Sequence, residues 1–170
     1  MLFDVTPKEK LEDLFNMREE LGSLISHLKD LHVRMIVILG LRRTGKTSLL
    51  KVALNTINLP CLYVDARKTL GSEDYFIDEV RRGLQKALLH RHFLLKALGK
   101  VRGVKISGVE IEFESRDSRK TIIEILEKIN SEVKQPFILA LDEAQELYQI
   151  KWILKMLAYC YDNLKKIKIV

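Results

Sequence analysis

Between Gly40 and Ser48 the sequence reads GLRRTGKTS: two glycines five residues apart, then a lysine and a hydroxyl residue. With ordinary residue usage, this spacing arises by chance in such a chain at a rate on the order of one per cent. It matches what a polyphosphate needs, which is many donors at short range and no bulky side chain in the way. Successive backbone N–H groups from Gly40, Leu41, Arg42, Arg43, Thr44 and Gly45 can line one concavity, and a helix starting behind them adds its positive dipole end. At Gly45 a Cβ would crowd the phosphate or forbid the backbone angles. Lys46 is placed to bridge β- and γ-phosphates, the Thr47 hydroxyl to hold Mg²⁺, and Ser48 to support the turn. The competing reading is a flexible glycine turn that binds nothing.

A second group that can do chemistry follows the apolar run Phe137-Ile-Leu-Ala-Leu141. Asp142 and Glu143 stand at the carboxyl end of that run, where ligands gather in open α/β sheets. Asp142 can hold the metal through water, and Glu143 can orient and deprotonate an attacking water, so hydrolysis is the expected reaction. Alternatively, the two acids merely cap the helix that follows. No glycine stands two or three residues after Asp142, and no Asn-Lys-x-Asp occurs for reading guanine, which argues against a GTPase. A small-molecule kinase fits poorly, because it has little use for a water-activating carboxylate beside the metal-holding one. ATP is the expected nucleotide, bound as ATP or ADP.

These groups need elements to hold them. Val33–Leu39 is apolar except for Arg34 and reads as a buried parallel strand ahead of the glycine loop. Thr47 to about Asn55 is helical in pattern, and Cys61–Val64 is a second strand closed by Asp65-Ala-Arg67, which completes a βαβ unit. Upstream, Thr6-Pro7-Lys8-Glu9 and Asn16-Met17-Arg18-Glu19 look like helix starts, the second opening a stripe of Leu21, Leu24, Ile25, Leu28 and Leu31. Ser72 can cap a helix with Phe76, Val80, Leu84 and Leu88 inward, running to about Leu98. Residues 104–113 alternate around Gly108 as a small hairpin. A helix from Asp117 or Ser118 carries Ile122, Ile125, Leu126, Ile129 and Val133 and stops at Pro136. A last helix from about Gln145 to Leu164 leads to a strand beginning at Ile167.

The composition, 47% hydrophobic and 31% charged in 170 residues, supports one core-forming domain. We expect residues 1–32 to be N-terminal helices and 33–170 the nucleotide-binding core. The longest apolar run is far below the roughly 20 residues of a bilayer crossing, and no signal-peptide pattern begins the chain, so no membrane partner and a cytoplasmic location are expected. Cys61 and Cys160 lack metal-ligand spacing and read as small core residues. The net charge of +6 is uneven: eight Lys or Arg and no acid lie between Glu79 and Glu110. Segment 81–105 could therefore contact nucleic acid, or could be a solvated face without aromatic interleaving.

Five stretches together resemble the archaeal-type ATPase family, a branch of the AAA+-related STAND group. They are Phe15-Asn-Met-Arg-Glu-Glu-Leu21, Gly40-Leu-Arg-Arg-Thr-Gly-Lys-Thr47, Tyr63-Val-Asp-Ala-Arg67, Leu141-Asp-Glu-Ala-Gln145 and Tyr161-Asp-Asn-Leu164. The resemblance implies an α/β fold, a three-layer αβα P-loop NTPase of the ASCE and AAA+ kind with a mainly parallel sheet and the inserted hairpin. Its first strand would lie between the strand starting at Ile167 and a fifth strand. That fifth strand, a sensor residue and a winged-helix region would lie outside these 170 residues, making this an N-terminal core fragment. The resemblance also carries ATPase roles onto Lys46, Thr47, Asp142 and Glu143 and places Arg18 near the nucleotide base. Arg42, Arg43 and Arg67 are arginine-finger candidates by position. The expected function is a conformational switch that hydrolyses ATP, with DNA and a second copy of the chain as candidate partners; a nucleotide-binding switch without turnover and a helicase-like fragment are the alternatives.

Overall fold

The computed structural model describes residues 6–89, 92–108, 110–114 and 117–170. Its centre is β4, Phe137–Asp142, in which all residues are buried. On one side lies β1, Cys61–Asp65, and on the other β5, Ile167–Ile169, both parallel to it. Because strand side chains alternate, β4 feeds two cores. Phe137, Leu139 and Leu141 pack into one, while Ile138 and Ala140 pack into the other. This two-faced burial is why a continuous apolar run, and not an alternating one, forms the strand.

The smaller core is closed by α1, Arg18–Lys29, and α2, Lys46–Ile57, through Leu21, Leu24, Leu28, Leu49, Leu50 and Ala53. The larger is closed by α3, Glu73–Leu88, α5, Ser118–Glu132, and α6, Lys151–Asn163. Helices on both faces of a mainly parallel sheet make the three layers expected. A short helix α4, His92–Leu98, packs on α5, and β2, Val104–Ser107, pairs antiparallel with β3, Glu110–Phe113, as the hairpin. Asp117 caps α5 by accepting a hydrogen bond from the Lys120 amide.

Four expectations need correction. Residues 33–39 are extended but not buried: Val37 is 69% and Leu39 85% exposed. The segment pairs with β5 only around Met35 and Ile169, with Ile36 N–H donating to Ile169 O and Ile169 N–H to Arg34 O. Its far edge has no strand beside it among the described residues, the side on which the resemblance places a fifth strand. Pro7–Lys10 is not helical, and Leu11–Asp13 forms a single 3₁₀ turn. Glu9 instead pairs with Lys51 at 2.8 Å, and its carbonyl accepts from Asn55 Nδ2 at 3.0 Å, so this segment spends its polar groups on α2. The expected helix from Ser72 to Leu98 is two helices, α3 and α4. The stretch after Glu143 is likewise divided, into a 3₁₀ helix, Ala144–Gln149, and α6, because Ile150 leaves helical angles.

Lys168 sits in the middle of β5 with 3% exposure and ties the sheet to α1. Its Nζ donates to the carbonyls of His27, Leu28 and Asp30 at 2.7, 2.9 and 2.6 Å, satisfying acceptors that the last turn of a helix leaves open. Burial holds its pKa below the usual lysine value. Lys168→Met strands those carbonyls and should destabilise the domain by about 2 kcal/mol in urea unfolding; an unchanged midpoint would show that the contacts are dispensable.

Candidate functional site

The glycine loop spans the gap between the extended segment and α2. Gly45 takes φ 88°, ψ 12°, left-handed backbone open to glycine, and its carbonyl starts α2 by accepting from Leu49 N–H at 2.9 Å. A Cβ built there would also lie 3.2 Å from Met17 Sδ, at the start of α1. Gly45→Ala should therefore cost about 1–2 kcal/mol of stability, read from a thermal or urea melt. Arg43 is left-handed as well, at φ 67°, and Thr44 Oγ1 donates to Leu41 O at 2.8 Å to brace the turn. Lys46 curls over the loop, its Nζ donating to Gly40 O at 2.9 Å and Leu41 O at 2.7 Å. The ammonium thus sits in the loop's own concavity. Arg42 and Arg43 are exposed.

Strand register builds the other wall. Asp65 and Asp142 are partners at the carboxyl ends of β1 and β4. Asp142 is 7% exposed, and both its oxygens are engaged: Thr47 Oγ1 donates to Oδ1 at 3.1 Å and Tyr63 OH to Oδ2 at 2.6 Å. Burial, then the hydrogen bond to Asp142, pushes the Tyr63 phenol upward, so the proton stays on tyrosine. Glu143 takes left-handed backbone at φ 55°, an unusual conformation for a residue with a Cβ. Its Oε2 accepts from Gln145 Nε2 at 2.6 Å, and neither acid side chain bonds a backbone amide of the following helix. Glu143 thus stands at the N-cap position of that helix without a side-chain cap bond.

Arg67 forms a two-bond pair with Asp65, Nε to Oδ1 at 3.0 Å and a terminal nitrogen to Oδ2 at 3.2 Å. That hydrogen bond holds its pKa above the usual arginine value. Ser48 makes a contact the sequence did not suggest, its Oγ accepting from Lys8 N–H at 3.0 Å to pin the N-terminal segment on α2. A cavity of about 520 Å³ opens beside these groups, with Thr47, Lys51, Tyr63, Asp65 and Arg67 among its lining. Burial pushes the Cys61 and Cys160 thiols up to about 12, in keeping with core roles.

Hard oxygen donors from a threonine and an aspartate, with phosphate oxygens completing the shell, are the set Mg²⁺ takes in nucleotide sites. Among the described residues no cluster of three His, Cys, Asp or Glu could hold a metal without such a ligand. The residues present thus fit a metal that arrives with a nucleotide.

The basic segment is more neutral than its sequence. Arg81 pairs with Asp78, Arg82 with Glu79 at 2.9 Å, and Lys96 and Lys100 both face Glu132 on α5. Its missing acids come from the preceding turn of α3 and from α5. Among the described residues no helix is long and apolar enough to cross a membrane.

Over 99% of its length the chain is similar to the Walker-type ATPase of Pyrococcus abyssi, with 31% identity and a TM-score of 0.67. It covers 48% of that protein, and so spans about half the length of this relative. No curated protein matches it. Residues 14–170 match the family described as an ATPase domain predominantly from Archaea. That match spans most of the chain, and the chain belongs to this family of P-loop ATPase domains.

Proposed function

We propose that the chain is the nucleotide-binding core of an Mg²⁺-dependent ATPase that uses ATP hydrolysis to switch conformation, in the manner of STAND proteins. The observation that carries this reading is the Thr47–Asp142 hydrogen bond, which brings together two motifs 95 residues apart in sequence. In this reading the amides of residues 40–46 and the N-terminus of α2 receive the phosphates. Lys46 exchanges the Gly40 and Leu41 carbonyls for phosphate oxygens. Thr47 and Asp142 would hold Mg²⁺, which when bound neutralises charge on the β- and γ-phosphate oxygens. Glu143 orients a water and takes its proton as the oxygen attacks the γ-phosphorus, and ADP departs as the leaving group.

Arg67 stands close enough to Asp142 and Glu143 to feel their charge. Its bond to Asp65 makes it a structural partner of that acid in the first place. Arg81, Arg82, Lys96 and Lys100 of segment 81–105 face acids, which weakens the case for a nucleic-acid face there.

A steady-state phosphate-release assay with ATP and Mg²⁺ tests the reading, with Glu143→Gln as the control. Release that depends on Glu143 supports it. Tight ATP binding with release at background would favour a switch without turnover, and ATP-dependent strand separation would favour the helicase-like alternative.

A further inference from the structure

Of the two donors that fix Asp142, Thr47 has a role in the ATPase reading and Tyr63 has none. We propose that Tyr63 is a positioning residue that sets the Asp142 carboxylate for the metal-bound nucleotide without itself touching either; this rests on the ATPase reading above.

The register makes the contact specific. Tyr63 is the strand partner of Ala140, and Asp142 lies two residues further along the same face of β4. The small side chain of Ala140 leaves the tyrosine ring room to run along the strand, so that its hydroxyl meets Oδ2 at 2.6 Å. With Thr47 on Oδ1 at 3.1 Å, rotation of the carboxylate would break two hydrogen bonds at once. The ring is itself braced: Lys51 Nζ lies 5.8 Å from its centroid and is paired with Glu9 at 2.8 Å. A line of contacts therefore runs from the N-terminal segment through Lys51 and Tyr63 to the acid that faces the phosphate loop.

A half-buried tyrosine such as Tyr63 commonly finds some acceptor for its hydroxyl, so the test must separate positioning from packing. Tyr63→Phe keeps the ring and removes the donor. Binding of a fluorescent ATP analogue is measured in EDTA and then across a series of Mg²⁺ concentrations. Partners that orient a metal ligand typically matter by 10–100-fold in metal affinity, so the Mg²⁺ half-saturation should rise by about 10-fold, with nucleotide affinity in EDTA unchanged. In an Asp142→Asn background, the added Tyr63→Phe change should shift nothing further. An unaltered Mg²⁺ response, or equal losses with and without the metal, would overturn the proposal. If the wild-type chain shows no Mg²⁺-dependent binding, the ATPase reading falls with it; a wild-type response that Tyr63→Phe leaves intact sinks only the role of Tyr63.

Discussion

Lys46→Ala should weaken ATP binding by about 100-fold or more, the size expected when one charge-assisted contact worth about 3 kcal/mol disappears. The ammonium is delivered by the first residue of α2 and lies over the loop concavity, within 2.9 Å of two loop carbonyls. Those carbonyls are exposed acceptors that water can serve, so the lysine is not needed to hold the loop. The fold should survive the change, because α2 is anchored by Leu49, Leu50, Val52 and Ala53. A calorimetric titration with ATP and Mg²⁺, beside a melting curve showing the variant intact, checks both halves. Unchanged affinity would remove this loop from the binding site.

Glu143→Gln should lower turnover by about 10²- to 10⁴-fold while leaving ATP affinity near wild type. The amide keeps the size of the carboxylate and loses only its basicity. The left-handed backbone at Glu143 turns it out of the line of β4, and its half-buried side chain accepts a hydrogen bond from Gln145. That arrangement suits a group that must meet water, whereas Asp142 is buried and bound on both oxygens. The expected split is therefore binding retained and catalysis lost. Parallel loss of both would assign Glu143 to holding the nucleotide or the structure.

The core of the fold was legible because its signals are local. Phe137–Asp142, the helix after Asp117 and the hairpin all follow from periodicity and turn residues, and the structure keeps them close to those bounds. The phosphate loop was legible for the same reason, as one contiguous motif. What the sequence hid depends on partners distant along the chain. Val33–Leu39 has the composition of a buried strand, yet its burial depends on neighbours on both edges, and among the described residues only β5 pairs with it. Thr6–Glu9 carries helix-start residues, but Lys8 and Glu9 make better contacts with Ser48 and Lys51 on α2 than an isolated turn can offer. Charge counting along residues 81–105 missed Glu132, which faces Lys96 and Lys100 only once α5 is packed. Tyr63 escaped for the same reason. Its parity places it on the face of Asp65, but its acceptor lies on another strand whose register no local pattern states.

The most direct measurement is a crystal structure of the chain with Mg²⁺ and a non-hydrolysable ATP analogue. The account predicts the phosphates against the amides of residues 40–47, with Lys46 moved from the Gly40 and Leu41 carbonyls onto phosphate oxygens and Asp142 facing them beside Thr47. A nucleotide seated elsewhere, or bound at the loop with Asp142 and Glu143 turned away from it, would contradict the account.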